Sequence, residues 1–190
     1  MKLALASVAT AALLTAPALA AERYALDASH SQIVFNYNHL GFSTTYGMFS
    51  GFEGEIMFDE ANPAASSVSV SMPVMSMFTG WEKRDAHFMS PDFFDANAEE
   101  MVSFTSTSIE VTGENTALIT GDLTLNGETK SIVLDAKLNK AGAHPMAQKA
   151  WLGFDATTTL LRSDFGVGAA APFVSDEVNV MISLEAAKAE

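Results

Sequence analysis

Gly121-Asp122-Leu123-Thr124-Leu125-Asn126-Gly127-Glu128-Thr129-Lys130-Ser131-Ile132-Val133-Leu134 is the stretch that decides the fold. Asn-Gly between two alternating runs is the strongest short signal for a two-residue hairpin, because a type I′ turn needs positive φ at both central residues. That turn places Leu125 opposite Glu128 and Leu123 opposite Lys130, and the pairing continues outward. One face then collects Leu125, Leu123, Gly121, Ile119, Ile132 and Leu134, with Glu128 and Lys130 near the turn. The other face collects Thr120, Asp122, Thr124, Thr129 and Ser131. Slipping by one residue would move the whole apolar set to the wrong face, so turn chemistry and side-chain pattern choose the same register.

The same period of two recurs outward from this hairpin, as expected of strands with one buried face. Ile33, Phe35, Tyr37 and His39 alternate with mostly polar neighbours in 31–40, and Phe52, Ile56 and Phe58 do so in 52–58. Val68, Val70, Met72 and Val74 alternate with serines in 66–74, and Val178, Val180, Ile182 and Leu184 alternate near the end. Further strands are expected over 22–28, 101–111 and 151–161. The one good helical stretch is 79–90, with a second short helix expected around 91–99 and a long loop over 141–149. No repeating βα pattern occurs, which excludes a doubly wound sheet. About eight strands with one apolar face bury it either by closing into a barrel or by stacking as a sandwich. Periodicity does not separate these.

The amino terminus is read as a processing signal. Lys2 precedes an apolar run from Leu3 to Leu14, then Pro17 and Ala18-Leu19-Ala20 supply a breaker and a small-residue cleavage site. These features predict a signal peptide over 1–20, cleaved before Ala21, and a single domain over 21–190. Nothing later is apolar enough to span a bilayer, so the exported chain is expected to be soluble, without stable membrane insertion. Cysteine is absent, so no disulfide staples the fold in a compartment that permits one. The net charge of −13 at pH 7 disfavours nucleic acid and anionic membrane surfaces as partners, because both are themselves negative.

Motifs in order along the chain resemble a known family. They open with Tyr24-x-x-Asp27-x-x-His30-Ser31-x-Ile33-x-Phe35, His39-x-Gly41, Gly47-x-Phe49 and Gly54-x-Ile56-x-Phe58-Asp59. They continue through Arg84-Asp85-x-His87-Phe88, Ser90-x-Asp92-Phe93-Phe94-Asp95 and Phe104-x-Ser106-Thr107. Gly121-x-Leu123-Thr124-Leu125-x-Gly127-x-Thr129-Lys130, Arg162-Ser163-Asp164-Phe165-Gly166 and Ser175-Asp176-Glu177-Val178 complete the series. Together they resemble the YceI family of periplasmic polyisoprenoid-binding proteins. The resemblance implies an all-β fold: an extended eight-stranded antiparallel lipocalin-like barrel with one or two short helices. It also implies a tunnel that takes an isoprenoid chain such as the tail of a polyprenyl quinone. The chain departs from the family in Glu100-Met101-Val102, where a proline often precedes the strand.

On that resemblance the expected function is a periplasmic binding or carrier protein for a long-chain isoprenoid lipid. The expected lipid-lining residues are Ile33, Phe35, Tyr37, Phe49, Phe52, Val70, Met72, Val74, Phe88, Phe94, Phe104, Leu123 and Leu125. Without the resemblance, the same apolar faces read first as ordinary core. Met72, Met75, Met77, Met89 and Met101 add polarizable surface that adapts to irregular ligands. His39, His87, Arg84 and Arg162 are the head-group candidates. A homodimer is left open. No catalytic residue, cofactor or metal site is expected.

Two rival functions remain. One is an enzyme acting on an isoprenoid or quinone through His39 and His87; the other is a stress-response scaffold with a filled barrel. His30, His39 and His87 suit zinc by type but lack ligand spacing. Arg84-Asp85 and Arg162-Ser163-Asp164 read best as structural charge pairs. Asp164-Phe165-Gly166 spells a kinase triplet without the other kinase motifs, so it carries no weight.

Overall fold

The structure, a computed structural model, describes residues 21–97 and 100–190, so the signal peptide expected over 1–20 lies outside the described residues. Ten strands are present among the described residues: β1 Glu22–Leu26, β2 Gln32–His39, β3 Ser43–Phe49, β4 Glu53–Phe58 and β5 Ser67–Pro73. They are followed by β6 Met101–Gly113, β7 Thr116–Leu125, β8 Glu128–Ala143, β9 Ala150–Leu161 and β10 Glu177–Lys188. A single α-helix among the described residues, α1 Glu82–Phe88, follows β5.

Pairing is antiparallel throughout, in the order β1-β4-β5-β6-β7-β8-β9-β10-β2-β3, and β10 also pairs with β1. That last contact closes the sheet. β10 meets β2 through its first half (Asn179 opposite Asn36) and β1 through its second (Ala186 opposite Leu26). β1 and β2 are thus one lane, interrupted by a 3₁₀ turn at Ala28–His30, and β3 and β4 form another, broken at 50–52. Ten segments make an eight-lane closed barrel, which leaves few free edges.

The β7–β8 hairpin has the register that its turn dictates, from Leu125 opposite Glu128 to Thr116 opposite Lys137. Asn126 and Gly127 both have positive φ, +52° and +75°, as a type I′ turn requires. The Asn126 amide also donates to the Phe165 carbonyl (2.9 Å), tying this turn to the loop after β9.

Several boundaries differ from expectation, each for a local reason. Gly80 has φ +79° and Trp81 is extended, so α1 starts only at Glu82 rather than at Thr79. Residues 91–94 form turns instead of a second helix: the Ser90 carbonyl accepts from both Phe93 and Asp95, and Asp95 has φ +45°. β8 runs on to Ala143, opposite Ala150, which shortens the expected loop to 144–149. Ala-Gly-Ala carries no large apolar side chain to report a strand, but its backbone still pairs. β5 stops at Pro73, and Val74 turns into a 3₁₀ segment. β3 was not foreseen as a strand, since Thr44, Thr45, Tyr46 and Gly47 do not alternate.

The buried side chains fall into three groups around the barrel rather than one central mass. Phe52, Met72, Val74, Phe104, Leu123 and Phe165 belong to the largest. Tyr24, Ile56, Leu152 and Ala186 form a second, and Phe35, Tyr37, Met77 and Val180 a third. Two aromatics lie across bare glycine on a neighbouring strand. A Cβ on Gly47 would sit 2.2 Å from the Phe35 ring, and one on Gly121 would sit 2.4 Å from the Phe104 ring. Glycine is what allows these rings to lie flat against the wall.

Candidate functional site: an apolar tunnel

The barrel is hollow. A cavity of about 840 Å³ runs along it, at the upper end of the size usual for ligand pockets. Its wall takes Ile33, Phe35 and Tyr37 from β2, Phe49 from β3, Val70 and Met72 from β5, Phe104 from β6, and Leu123 and Leu125 from β7. Phe52, Phe88 and Phe94 reach it from loops and α1. These are twelve of the thirteen residues expected there. Val74 is the exception: it is 0% exposed, packed in the main buried group and absent from the wall. The chain turns after Pro73, which breaks the alternation that would have pointed Val74 inward.

The inward faces of β8, β9 and β10 supply much of the remaining wall, including Leu134, Ala136, Ala156, Leu160, Val178 and Ile182. Their alternation is visible in the sequence, but which face meets a cavity is not. Ala156, Leu160 and Ile182 point into the barrel yet are only half-buried. The tunnel itself exposes them.

Among the described residues, charge in the wall sits at its two ends. Lys83, Arg84 and Arg162, with His39 and His87, lie at the end that carries the β2–β3 turn, α1 and the loop after β9, here called the upper end. Glu114, in the β6–β7 turn, is at the lower end. Among the described residues no buried side-chain nitrogen or oxygen lacks a partner. The middle of the tunnel therefore offers contact surface but no unmet polar demand.

All four head-group candidates line the upper end, but they are not equally available. The Arg162 guanidinium donates to the carbonyls of Ser175 (2.9 Å), Val167 (3.0 Å), Ala169 (3.1 Å) and Val174 (3.0 Å). Burial pushes its pKa down, while Asp176 opposes that shift. The expected Arg162–Asp164 pair does not form. Instead Asp176 accepts from the Ser163 amide and hydroxyl, which holds its carboxyl below the usual range. Arg84 and Asp85 likewise do not pair with each other but converge on Thr79. Arg84 donates to the Thr79 hydroxyl (2.9 Å) and carbonyl (3.0 Å), and Asp85 accepts from its amide (2.9 Å). Arg84 also lies 5.8 Å from the centre of the Trp81 ring, within cation–π range. His87 meets Asp92 at 3.2 Å and stacks edge-on with Phe93. Lys83 and the His39 ring have no side-chain partner among the described residues.

The three histidines do not converge. His39 and His87 reach the tunnel, whereas His30 sits in the turn between β1 and β2, where its Nδ1 meets Asp27 at 2.7 Å. Donor atoms of Asp27, His30 and Glu185 come within 4.8 Å of one another, but each already has a partner. Asp27 also accepts from Ser29, and Glu185 accepts from the Trp151 indole (2.7 Å). The hydrogen bond to Asp27, followed by the Asp27 charge, raises the His30 pKa above 6.5. For Asp27, partial burial pushes upward, but the bonds from His30 and Ser29 outweigh it and leave the pKa lowered.

A raised histidine pKa stabilises the fold fully below the unfolded value and loses that contribution as pH climbs through the folded one. The melting temperature should therefore decline above pH 6.5 by a step that is missing in His30→Gln. An identical pH profile for both proteins would show that this pair does not matter to stability.

Among the described residues, no helix is long and apolar enough to cross a membrane. The family model of the YceI-like domain matches residues 24–186. A UPF0312 protein of Ectopseudomonas mendocina is 42% identical over 188 residues, 97% of each chain. One from Pseudomonas savastanoi pv. phaseolicola is 39% identical over 185 residues, covering 96% of this chain and 95% of its own. Among solved structures, BcnA of Burkholderia cenocepacia superimposes with a TM-score of 0.75 at 26% identity, over 84% of this chain and 98% of its own. The YceI protein of Campylobacter jejuni does so with 0.71 at 30% identity, over 80% and 90%. A polyisoprenoid binding domain from Saccharophagus degradans shares the fold, with a TM-score of 0.68 at 15% identity, over 87% and 98%. Closed barrel, hollow interior and whole-domain match lead to one statement: the chain belongs to the YceI-like domain family.

Proposed function

We propose that the chain is a periplasmic carrier, exported by its leader, that encloses the tail of a long-chain isoprenoid lipid such as a polyprenyl quinone. The observation that carries this reading is a tunnel of about 840 Å³ with an apolar wall and charge confined to its ends. At roughly 30 Å³ per water-sized group, it holds on the order of 28 carbon-sized groups, or about five to six isoprene units. Each buried methylene contributes roughly 0.8 kcal/mol, so tail contacts alone give tight binding without a strong polar anchor.

The head group belongs at the upper end, beside Lys83, His39, His87 and Arg84, with the tail running toward Glu114. Arg162 holds the loop there rather than the ligand, because its donors already serve four carbonyls. Binding of this kind requires no covalent chemistry; of the two histidines of the enzyme reading, only His87 meets an acid, Asp92 at 3.2 Å, while the His39 ring has no side-chain partner among the described residues.

Organic extraction and mass spectrometry of protein purified from its native compartment test the proposal. A prenyl lipid near equimolar with protein is the expected result. An empty tunnel that stays empty after incubation with quinones and polyprenols would sink it.

A further inference from the structure

Four large apolar side chains stand in solvent around the upper mouth of the tunnel: Phe42 at 89% exposure, Phe173 at 76%, Trp81 at 58% and Leu40 at 47%. Single exposed apolar residues are ordinary, but a group gathered about one opening marks a binding surface. The backbone brings them together. His39 bridges to Val174, and the Ser175 amide donates to the Asn38 carbonyl at 3.0 Å, which locks the β2–β3 turn against the loop after β9. Leu40 and Phe42 lie between His39 and Ser43, both of which line the tunnel. Phe173 precedes Val174, which also lines it, and Trp81 belongs to rim and wall alike. An apolar path therefore leads from solvent over the rim into the cavity.

We infer that this rim docks on the zwitterionic headgroup layer of a lipid bilayer, with Phe42 and Phe173 dipping into it and the tunnel mouth facing the acyl chains. The inference rests on the carrier reading, which requires a water-insoluble tail to pass between bilayer and tunnel. Charge selects the kind of surface. A chain of net charge −13 is not drawn to an anionic membrane. The rim itself carries both signs, Lys83 and Arg84 beside Glu82 and Asp92, which matches the paired charges of a zwitterionic headgroup. Trp81 suits that layer by pairing an apolar ring with an indole N–H, while Phe42, Phe173 and Leu40 supply purely apolar surface to bury in it. Docking driven by apolar insertion depends little on salt.

Flotation of the purified chain with vesicles of phosphatidylethanolamine and phosphatidylcholine tests this. A fraction of the wild-type protein should float, at low and high salt alike. The double variant F42S/F173S should reduce that fraction by about tenfold or more, given the transfer free energy of two phenylalanines. Met146→Ser serves as control: that residue is 87% exposed, but it stands on a loop that contributes nothing to the tunnel wall. It should float like wild type. Both rim residues point into water, so the double variant should keep the wild-type melting temperature, which confirms that it is folded.

The inference is overturned if wild-type protein stays in the aqueous fraction, or if the double variant floats equally well. A dimer that F42S/F173S dissolves, without flotation of the wild type, would also overturn it and make a second copy the occupant. Absence of extractable lipid with flotation intact would remove the carrier reading alone; a lipid-loaded protein that never floats would remove only the docking surface.

Discussion

Ala156→Trp should lower affinity for a long-chain prenyl lipid by about three orders of magnitude while the barrel stays folded. Ala156 lies on β9, directly opposite Ala136 on β8 and Ile182 on β10, and all three line the tunnel. The two alanines are neighbours on the same wall, and neither side chain reaches far into the cavity. An indole at this position enters existing space rather than packed core, so it does not meet the overpacking that penalises large residues in a dense interior. It does displace ligand. Losing contact with about five methylenes removes roughly 4 kcal/mol, which is close to a thousandfold at about 1.4 kcal/mol per factor of ten. The check pairs a lipid-binding titration with thermal unfolding. Wild-type affinity in a folded A156W protein would mean that the chain does not pass this section. If the indole unfolds the barrel, Ala136→Phe repeats the test from the neighbouring strand with a smaller ring.

Arg162→Met should destabilise the fold by about 4 kcal/mol, by removing the donors of four hydrogen bonds from a charged group. The methionine keeps the stem but leaves the carbonyls of Val167, Ala169, Val174 and Ser175 without the guanidinium that gathers them. Those carbonyls space out the loop that carries Phe173 and part of the upper mouth, so the loop should gain amide exchange as well. Lysine should not rescue the defect, because a single ammonium cannot reproduce a planar fork aimed at four oxygens. Urea unfolding of both variants measures this. Stability within about 1 kcal/mol of wild type for Arg162→Met would show that the loop holds itself, since one ordinary hydrogen bond contributes about that much.

Reading the sequence succeeded where one short-range rule acted alone. The β7–β8 register follows from Asn126-Gly127 and from the apolar alternation on either side, and pairing over the whole hairpin obeys it. It fell short where the backbone pairs without an alternating side-chain record, as in β3 and in the last residues of β8. Opposite charges close in sequence misled in a different way. Arg84-Asp85 and Arg162-Ser163-Asp164 looked like internal pairs, but each arginine has its partners elsewhere: Thr79 for one, and loop carbonyls for the other. Neighbours in sequence diverge when a helix or 3₁₀ turn rotates each side chain away from the next.

The amino-acid sequence by itself determined most of the strands, the hairpin register and the apolar faces of the alternating strands, because these depend on turn dihedrals and on a period of two. Whether those faces meet a packed core or a space was beyond it, and the resemblance alone suggested a tunnel. Only tertiary structure decided that point. An inward residue looks the same in either case, and the interior is set by how far apart eight lanes hold opposite walls. The same closure brings the turn at Leu40, the loop at Phe173 and the segment before α1 to one mouth. It thereby places the exposed aromatics, and all three cationic side chains of the tunnel wall, at the same end of the barrel.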